Sequence, residues 1–321
     1  MKIITLNLNG IRSAARKGLF KWMTRTRADV VCVQELKAHD VDLDDIMRAP
    51  GKFRGHFYHA EKKGYSGVGL YSPHAPDRVT QGIGNREADG EGRYVRADFG
   101  KLSVISVYLP SGSAGAHRQE SKFRFMECFF PFLKKLAAEG REVLLCGDWN
   151  IAHKEIDLKN WRSNQQNSGL LPEERAWLGK VFDELGWVDV YRKLHPEATG
   201  EAYTWWSNRG QAYANNVGWR IDYQLATPSL RDKLKACSIA GDPRFSHHAP
   251  FTVDYELCRR GRRQAGGKER LATGAGQPEP AQGAGDAAAG FQFRHSAVPG
   301  WQHPRLLDAR KRHRAVDDRV P

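Results

Sequence analysis

The sequence lacks the cysteine pairs, long apolar runs and leader features that mark secreted and membrane proteins. Its five cysteines are scattered, and none of them forms a CxxC pair. Cys32 and Cys146 lie inside apolar, strand-like runs, so we expect buried, reduced thiols in a cytoplasmic protein. The first residues lead directly into a predicted strand, without the apolar core and cleavage site of a signal peptide. No apolar run approaches the roughly 20 residues that cross a bilayer, so no membrane segment is predicted.

The chain has fewer acidic than basic residues. The chain has 50 Lys and Arg residues against 37 Asp and Glu, which gives a formal net charge of +13. A basic surface suits a polyanionic partner such as nucleic acid. With 40% hydrophobic and 10% aromatic residues among its 321, the chain has the composition of a globular protein with a large core.

The composition changes at residue 259. Residues 259–321 are rich in Gly, Ala, Arg, Gln and Pro, hold 13 basic residues against 6 acidic ones, and show no hydrophobic periodicity. We predict one folded domain over residues 1–258 and a basic, low-complexity, disordered tail over residues 259–321. The tail either adds sequence-independent attraction to phosphate or has no function, and the sequence leaves both open.

The most informative stretch is residues 144–151, an apolar run that ends in Gly-Asp-Trp-Asn. The run predicts a buried strand, and its glycine permits a sharp turn where the strand stops. Asp148 and Asn150 then lie two residues apart at the carboxyl end of the strand, where open α/β sheets usually carry their chemistry. Asp accepts a proton or holds a hard cation, whereas Asn orients a water or an oxyanion without adding charge. Taken alone, the motif is equally compatible with an Asx turn.

Other predicted strands end on polar residues in the same way. Residues 2–6 lead to Asn7, residues 29–34 lead to Glu35, and the second strand of a 94–99/102–108 hairpin ends at Tyr108. Further strands are predicted at residues 55–60, 66–71, 203–206, 220–226 and 250–257, and helices at residues 13–27, 121–140 and 172–185. Hairpins mixed with helical crossovers predict an α/β fold of the α+β type, in which two mixed β-sheets pack together and are flanked by helices.

Two of the predicted helices carry specific signals. Ser13 is a candidate N-cap for the helix at residues 13–27. In the helix at residues 121–140, apolar residues at helical spacing predict the buried face, made of Phe123, Met126, Phe130, Leu133 and Ala137.

The polar side chains at predicted strand ends form a candidate site: Asn7, Glu35, Tyr108, Asp148, Asn150, Asp222 and His248. Individually they have ordinary explanations, with Glu35 as a surface carboxylate, Tyr108 as a ring at the core edge and His248 as a structural histidine. Together they supply carboxylates for a cation and for a base, amides, a phenol and an imidazole. That inventory is typical of metal-assisted phosphoryl transfer, which needs a hard cation, an activated water and donors around the phosphorus.

Six motifs in chain order carry a resemblance to a known family. They are TLNLNGIR, QELK, YSGVGL, GDWNIAH, EIDLKN and NVGWRIDY. Over residues 1–257 the chain resembles the exonuclease III / apurinic-apyrimidinic endonuclease family, within the DNase I-like metal-dependent phosphodiesterases. The Gln-Glu pair occurs throughout that superfamily, whereas EIDLKN and VGWRIDY are more specific to its DNA-repair branch.

The resemblance implies a four-layer sandwich fold and a nuclease that depends on Mg²⁺ or Mn²⁺. Glu35 is similar to the metal ligand of the family, with Asn7 beside it. Asp148 resembles the base or water-orienting carboxylate, and Asn150 its amide partner. The implied activity on double-stranded DNA is cleavage 5′ to abasic sites, trimming of 3′ ends and removal of 3′-blocking groups by a monomer.

Three further residues receive catalytic roles from the resemblance. Tyr108 is similar to the phenol that contacts the scissile phosphate or the leaving group. Asp222 resembles the carboxylate that orients His248, and His248 resembles the donor to a phosphate oxygen. The chemistry is consistent with these roles, because a carboxylate on one imidazole nitrogen fixes the tautomer and favours a charged ring facing an anion.

The resemblance also implies a DNA footprint. The residues at phosphate-contacting positions of the family are Arg12, Lys37, Tyr65, Asn164 and Asn167. The residues at positions of its pocket for an extruded, base-free sugar are Trp205, Trp219 and Ile221, with Arg118 and Arg209 as candidates for groove insertion. A flat apolar pocket accepts a bare deoxyribose and excludes one that carries a base. Without the family, core packing is the default explanation for tryptophan.

The chain departs from the family at one position. The family usually has Ser-Asp-His-Ala-Pro, whereas this chain has His247 in place of the acid. That acid ordinarily belongs to the metal environment, so an imidazole stands where a hard cation prefers oxygen. We therefore expect weakened Mg²⁺ binding and a relative preference for Mn²⁺, with Asp242 as a possible substitute ligand.

Two alternatives to an active DNA nuclease are open at this stage. The first is a DNA-binding homologue with impaired catalysis, suggested by His247. The second is a superfamily member that acts on inositol phosphates or phospholipids, which has no need for the Trp205 and Trp219 pocket or the loop at residues 160–167.

Overall fold

In the computed structural model, which describes residues 1–257, two six-stranded sheets enclose a common apolar core. The strands are β1 (Lys2–Asn7), β2 (Val30–Gln34), β3 (Arg54–Tyr58), β4 (Val68–Ser72), β5 (Arg78–Gln81), β6 (Tyr94–Phe99), β7 (Leu102–Tyr108), β8 (Glu142–Asp148), β9 (Val188–Asp189), β10 (Trp205–Trp206), β11 (Gly218–Trp219), β12 (Asp222–Ala226), β13 (Leu234–Ile239) and β14 (Phe251–Tyr255).

The helices lie outside the two sheets. They are α1 (Ile11–Arg16), α2 (Leu19–Met23), α3 (Asp45–Arg48), α4 (Arg86–Gly90), α5 (Ala116–Ala138), α6 (Trp161–Asn164), α7 (Pro172–Asp183) and α8 (Val190–Leu194). Short 3₁₀ turns occur at Asp40–Asp42, Glu155–Asp157, Gly200–Ala202 and Pro228–Lys233. In the described part of the chain, none of these helices has the length and apolarity needed to span a bilayer.

Each large sheet contains one parallel pair at its centre. The first sheet has the order β13-β14-β1-β2-β4-β3, with β1 and β2 parallel, and the second has the order β5-β6-β7-β8-β12-β9, with β7 and β8 parallel. The other pairings in these sheets are antiparallel, and β10 and β11 form a separate two-stranded ribbon. The carboxyl ends of both parallel pairs therefore carry the polar residues that the sequence places after apolar runs.

Three apolar clusters produce a four-layer arrangement. Residues such as Ile3 and Val30 from the first sheet and Val104 and Leu144 from the second form the core between the sheets. Side chains of α1 and α2 cover the outer face of the first sheet, and those of α5 and α7 cover the outer face of the second. The prediction of two packed mixed sheets flanked by helices is confirmed.

Two helix predictions were wrong in detail. The helix expected at residues 13–27 is divided at Gly18, whose φ of +86° is left-handed, and Ser13 lies inside α1 and does not cap it. The buried face of α5 is rotated from the predicted one because Phe123, Phe130 and Ala137 are only partly buried. The side chains that fill the core are Phe125, Met126, Phe129, Leu133 and Leu136.

Some strands and thiols also differ from expectation. β5 and β13 were not predicted. Both lie at sheet edges and are partly exposed, so their sequences lack the alternation of apolar and polar residues that indicates a strand. Cys32 and Cys146 are buried as predicted, whereas Cys128 and Cys237 are half-buried, and all four are free thiols. Cys258 and the predicted tail at residues 259–321 lie outside the described residues.

A buried ion network ties the loop after β8 to the strand beside it. Asp157, with no exposed side-chain surface, accepts hydrogen bonds from Arg220 Nε at 2.8 Å and Nη2 at 3.2 Å. Arg192 Nε donates to the same carboxylate at 3.1 Å, and Arg220 also contacts Asp189 at 2.8 Å. Burial raises the pKa of Asp157, but the charges of Arg220 and Arg192 outweigh it and hold the pKa far below its usual value.

We expect Asp157→Asn to lower the free energy of unfolding by about 3–5 kcal/mol at pH 7, because it leaves buried guanidinium charge uncompensated. The folded-state pKa of Asp157 is depressed, so its stabilisation is present above the unfolded value of roughly 4 and is lost as pH falls toward the folded value. Urea unfolding should therefore show a gap between wild type and variant that narrows below about pH 4. The control is Asp254→Asn, in the partly exposed pair with Lys2, which should cost less than about 1 kcal/mol. A gap for Asp157→Asn as small as this would refute the prediction.

Candidate active site

The candidate site lies where strands of both sheets end at the same edge. β1 ends at Asn7, and its parallel neighbour β2 is followed by Glu35. In the second sheet, the last residues of β7 and β8, Tyr108 and Asp148, lie opposite each other. β12 begins at Asp222, directly across from Asp148 in the antiparallel pair. Strand pairing thus brings together five side chains that are distant in sequence.

The Asn7 carboxamide joins the two sheets. Its Nδ2 donates to Oε1 of Glu35 at 3.0 Å and to Oδ2 of Asp148 at 2.9 Å. The Tyr108 hydroxyl donates to the same Glu35 oxygen at 2.7 Å. Because Asn7, Asp148 and Tyr108 are buried, these bonds form in a region of low dielectric, where they are strong.

Glu35 is held as a carboxylate by its neighbour along the chain. Lys37 Nζ lies 2.6 Å from Oε2 of Glu35. Burial raises the pKa of Glu35, but the charge and the hydrogen bond of Lys37 hold it below its usual value. Glu35 and Lys37 have left-handed φ angles of +51° and +48°. The turn is held by bonds from Gly10 N to Glu35 O at 2.8 Å and from Lys37 N to Ser66 O at 2.9 Å.

Asp148 and Asn150 form a rigid pair. The backbone N–H of Asn150 donates to Asp148 Oδ1 at 2.8 Å, and its Nδ2 lies 3.3 Å from Oδ2. Asn150 has a left-handed φ of +53°. Burial and the negative charge of Asp222 raise the pKa of Asp148 to about 7, although the nearby His248 acts in the opposite direction. A carboxyl group with this pKa is suited to accept a proton from water near neutral pH.

His248 and Asp222 form a buried pair beside Asp148. Nδ1 of His248 lies 2.8 Å from Oδ2 of Asp222, and Nε2 lies 3.9 Å from Oδ2 of Asp148. Burial alone lowers the pKa of His248, but the charge and hydrogen bond of Asp222 raise it to about 9. The ring is therefore an imidazolium at neutral pH, which is a donor suited to a phosphate oxygen.

The donor set fits a hard divalent cation. Ligand atoms of Asp148, Asp222 and His248 lie within 4.8 Å of one another, and the two carboxylates are the ones that can bind a cation while His248 is protonated. Oδ1 of Asp222 is buried and has no hydrogen-bond partner among residues 1–257, so it is available to a ligand. Carboxylate oxygens are the preferred ligands of Mg²⁺ and comparable hard ions. Glu35, the ligand predicted from the sequence, lies outside this group of three and is joined to it through Asn7.

His247 lies outside that group as well. Its Nδ1 is 3.2 Å from Nδ2 of Asn9, and Oδ1 of Asn9 accepts a hydrogen bond from Lys37 Nζ. Burial, together with the positive charge of His248, lowers the pKa of His247 and favours the neutral ring. The sequence interpretation did not include Asn9, although it follows Asn7 by two residues in the same motif. A metal role for His247 stays a prediction.

A second cluster extends the site toward Tyr65. Arg118 donates to the Tyr65 hydroxyl and forms an ion pair with Glu91 at 2.9 Å. Arg93 connects this cluster to Tyr108, because its guanidinium lies 4.8 Å from the Tyr108 ring centroid and donates to the Tyr108 carbonyl at 2.8 Å. Arg93 is 1% exposed. The sequence interpretation missed it, because an arginine before an exposed-looking strand gives no sign of burial.

An apolar wall flanks the imidazole. Trp205 and Trp219 pair across β10 and β11 with their rings edge to face, and Trp205 bridges to His248 through the backbone. Ile221 packs in the same cluster. The structure therefore brings together the three residues predicted for a sugar pocket. It adds four that were not predicted: Ala152, Leu158, Trp161 and Leu170.

The predicted DNA contacts that remain are exposed or partly exposed: Arg12, Asn164, Asn167 and Arg209. Arg12 on α1 is exposed, with its guanidinium 3.8 Å from Asp42. Asn167 donates to Asn164 at 2.7 Å in the loop that follows α6. Arg209 lies on an exposed loop after β10, and its side chain is not drawn into the buried cluster. The contact roles of all four predicted residues stay predictions.

Comparison with known sequences gives a consistent result. Residues 4–253 match the model of the Endonuclease/Exonuclease/phosphatase family. The chain is 38% identical over 254 residues to an exodeoxyribonuclease of Bacillus subtilis. The aligned region covers 79% of this chain and 98% of that protein. It is 36% identical over 255 residues to the DNA repair nuclease APEX1 of Danio rerio, covering 79% of this chain and 81% of that protein.

Solved structures show the same similarity. An AP endonuclease from Archaeoglobus fulgidus is 28% identical with a TM-score of 0.72, and a 3′-5′ exonuclease from Neisseria meningitidis is 25% identical with a TM-score of 0.74. Each comparison covers 80% of this chain and 100% of the other. The sheet order, the carboxylate–imidazole site and these similarities agree. The chain belongs to the Endonuclease/Exonuclease/phosphatase family, as a phosphodiester hydrolase of the exodeoxyribonuclease III and AP endonuclease type.

Proposed function

We propose that the chain is a metal-dependent DNA repair nuclease that cuts 5′ to abasic sites, trims 3′ ends and removes 3′-blocking groups in base excision repair. The observation that carries the proposal is the convergence of Asp148 and charged His248 beside the wall of Trp205 and Trp219. Relatives support the substrate class, among them a Dictyostelium discoideum DNA-(apurinic or apyrimidinic site) endonuclease that is 34% identical.

The proposed roles follow from protonation and position. Asp148, with its raised pKa, takes a proton from the attacking water. His248, held by Asp222, donates to a phosphate oxygen, while Asn150 orients the water. Tyr108 contributes its hydroxyl near the leaving group. Glu35 and the other carboxylates around Asn7 would hold a divalent cation, which would supply Lewis-acid stabilisation of the phosphate charge.

The apolar wall supports a choice of substrate. A deoxyribose without a base presents a small, flat surface to Trp205 and Trp219, whereas an attached base would add bulk that such a wall could exclude. Extruding an unpaired, base-free nucleotide is also less costly than extruding a paired one. A soluble phosphoester substrate has no use for such a wall. The excess of basic over acidic residues supports a polyanionic partner. We further propose that the enzyme is a cytoplasmic monomer.

Purified wild-type protein should nick a duplex that contains one abasic site when Mg²⁺ or Mn²⁺ is present, and a chelator should abolish the cleavage. Asp148→Asn should lower kcat by roughly 100-fold or more with little change in KM, because it removes the proton acceptor. Asp254→Asn, far from the site on β14, is the matched control and should cleave at the wild-type rate. Binding of the duplex without cleavage in either metal would contradict the proposal.

The histidine at position 247 generates a separate prediction. His247→Asp should raise activity in Mg²⁺ relative to Mn²⁺, because it returns a carboxylate to the surroundings of Asn9 and Glu35. The measurement is kcat/KM for abasic cleavage across a titration of each metal. His247→Ala, which removes the ring and adds no oxygen, should not raise the activity in Mg²⁺, so a gain seen only with His247→Asp comes from the carboxylate. If His247→Asp leaves the metal preference unchanged, the prediction is wrong.

We also propose that residues 1–258 form the complete nuclease domain. A chain that ends at residue 258 should keep the melting temperature and the kcat of the full chain. Binding measured over a range of salt concentrations then tests the basic tail, since each lost phosphate contact flattens the slope of log K against log salt. Loss of cleavage in the shortened chain would show that the boundary is wrong.

A further inference from the structure

A fully buried ion pair lies directly behind the turn that carries Asn150. Lys122 on α5 and Glu174 on α7 both have 0% side-chain exposure, and Lys122 Nζ lies 2.6 Å from Oε1 of Glu174. Lys122 belongs to the buried face of α5, since Phe125 and Met126 follow it at the i+3 and i+4 positions. Burying an ammonium group costs desolvation free energy, so we examined its hydrogen-bond partners for the role that it has.

The second partner of Lys122 is the catalytic turn. Its Nζ donates to the Asn150 carbonyl at 2.8 Å. Asn150 has a left-handed backbone and donates its own N–H to Asp148, so the backbone conformation of this one residue affects both side chains. A charged donor on its carbonyl helps to hold the residue in that conformation.

The other side of the pair reaches the apolar wall. Oε2 of Glu174 accepts hydrogen bonds from Gly169 N at 2.6 Å and Leu171 N at 3.1 Å. Gly169 in turn accepts from Ala152 N at 2.7 Å. A Cβ added at Gly169 would lie 3.2 Å from the Trp219 ring and 3.1 Å from the Asn150 carbonyl. Gly169 therefore lies between the Asn150 turn and Trp219, where a larger side chain would be in close contact with both.

We propose that Lys122 and Glu174 are positioning residues that hold the Asp148–Asn150 turn and Gly169 in register with each other. Neither touches substrate. Their effect is on the geometry that Asp148 and Asn150 present to the reacting phosphate. This inference deepens the proposed function and depends on it.

The test uses the full chain with Lys122→Met and Glu174→Gln combined. The pair of substitutions keeps the approximate volume of both side chains and removes both charges together, so that no unpaired charge is left buried. We expect kcat for abasic cleavage to fall roughly tenfold or more, with KM within about twofold and the melting temperature near that of the wild type, because small displacements of reacting groups are costly.

The matched control is Leu136→Ala, a fully buried position on the same helix but remote from Asn150. It should lower the melting temperature by opening a cavity, yet keep the wild-type kcat at temperatures where it is folded. Lys122→Met alone removes the donor to Asn150 and leaves Glu174 its hydrogen bonds from Gln119 Nε2, Gly169 N and Leu171 N. At temperatures where this variant is folded it should lower kcat by several-fold, and it decides the question if the double variant does not fold.

The outcomes separate this inference from the proposed function. A wild-type chain that cleaves no DNA overturns both. A wild type that cleaves, together with a folded double variant or Lys122→Met variant at the wild-type kcat, overturns only the role of the buried pair. A loss of kcat that simply follows the melting temperature, as in an unstable variant, also overturns it.

Discussion

The whole site depends on one carboxamide. Asn7 Nδ2 donates to a carboxylate oxygen on each of two segments, Glu35 after a strand of the first sheet and Asp148 at the end of a strand of the second. The amide sets the separation of these two acids without neutralising either. Any relative shift of the two sheets stretches one of the two bonds. The packing of the two sheets therefore also determines the geometry of the site.

The site also balances its charge locally. Three carboxylates in a buried space repel one another, and that repulsion contributes to raising the pKa of Asp148 to about 7. Lys37 compensates Glu35, and His248 compensates Asp222, so that Asp148 keeps no basic hydrogen-bond partner of its own. The acid with the least compensation is the one whose pKa suits proton transfer.

The central strands and the site were predictable for the same reason. β7 and β8 are mostly apolar runs that end in Tyr108 and in Gly147-Asp148, so the local sequence pattern indicates both the extent of these strands and the residues at their ends. The charged residues behind the site were not predictable. Lys122 meets Glu174 across 52 positions, and a lysine in a helix gives no local sign of whether its partner will be water or a distant acid. The burial of Arg93 was not predicted for the same reason.

The buried ion pairs of this protein follow a common pattern. Lys122 with Glu174 holds the segment that leaves β8, and Asp157 with Arg220 holds the loop that follows it against the strand that carries Asp222. Apolar residues of the same volume would serve packing equally well, so stability alone does not account for two such pairs. Hydrogen bonds from charged groups constrain direction as well as distance. The two buried pairs therefore support the proposal that charge is retained here to fix the orientation of the segments that carry Asn150 and Asp222.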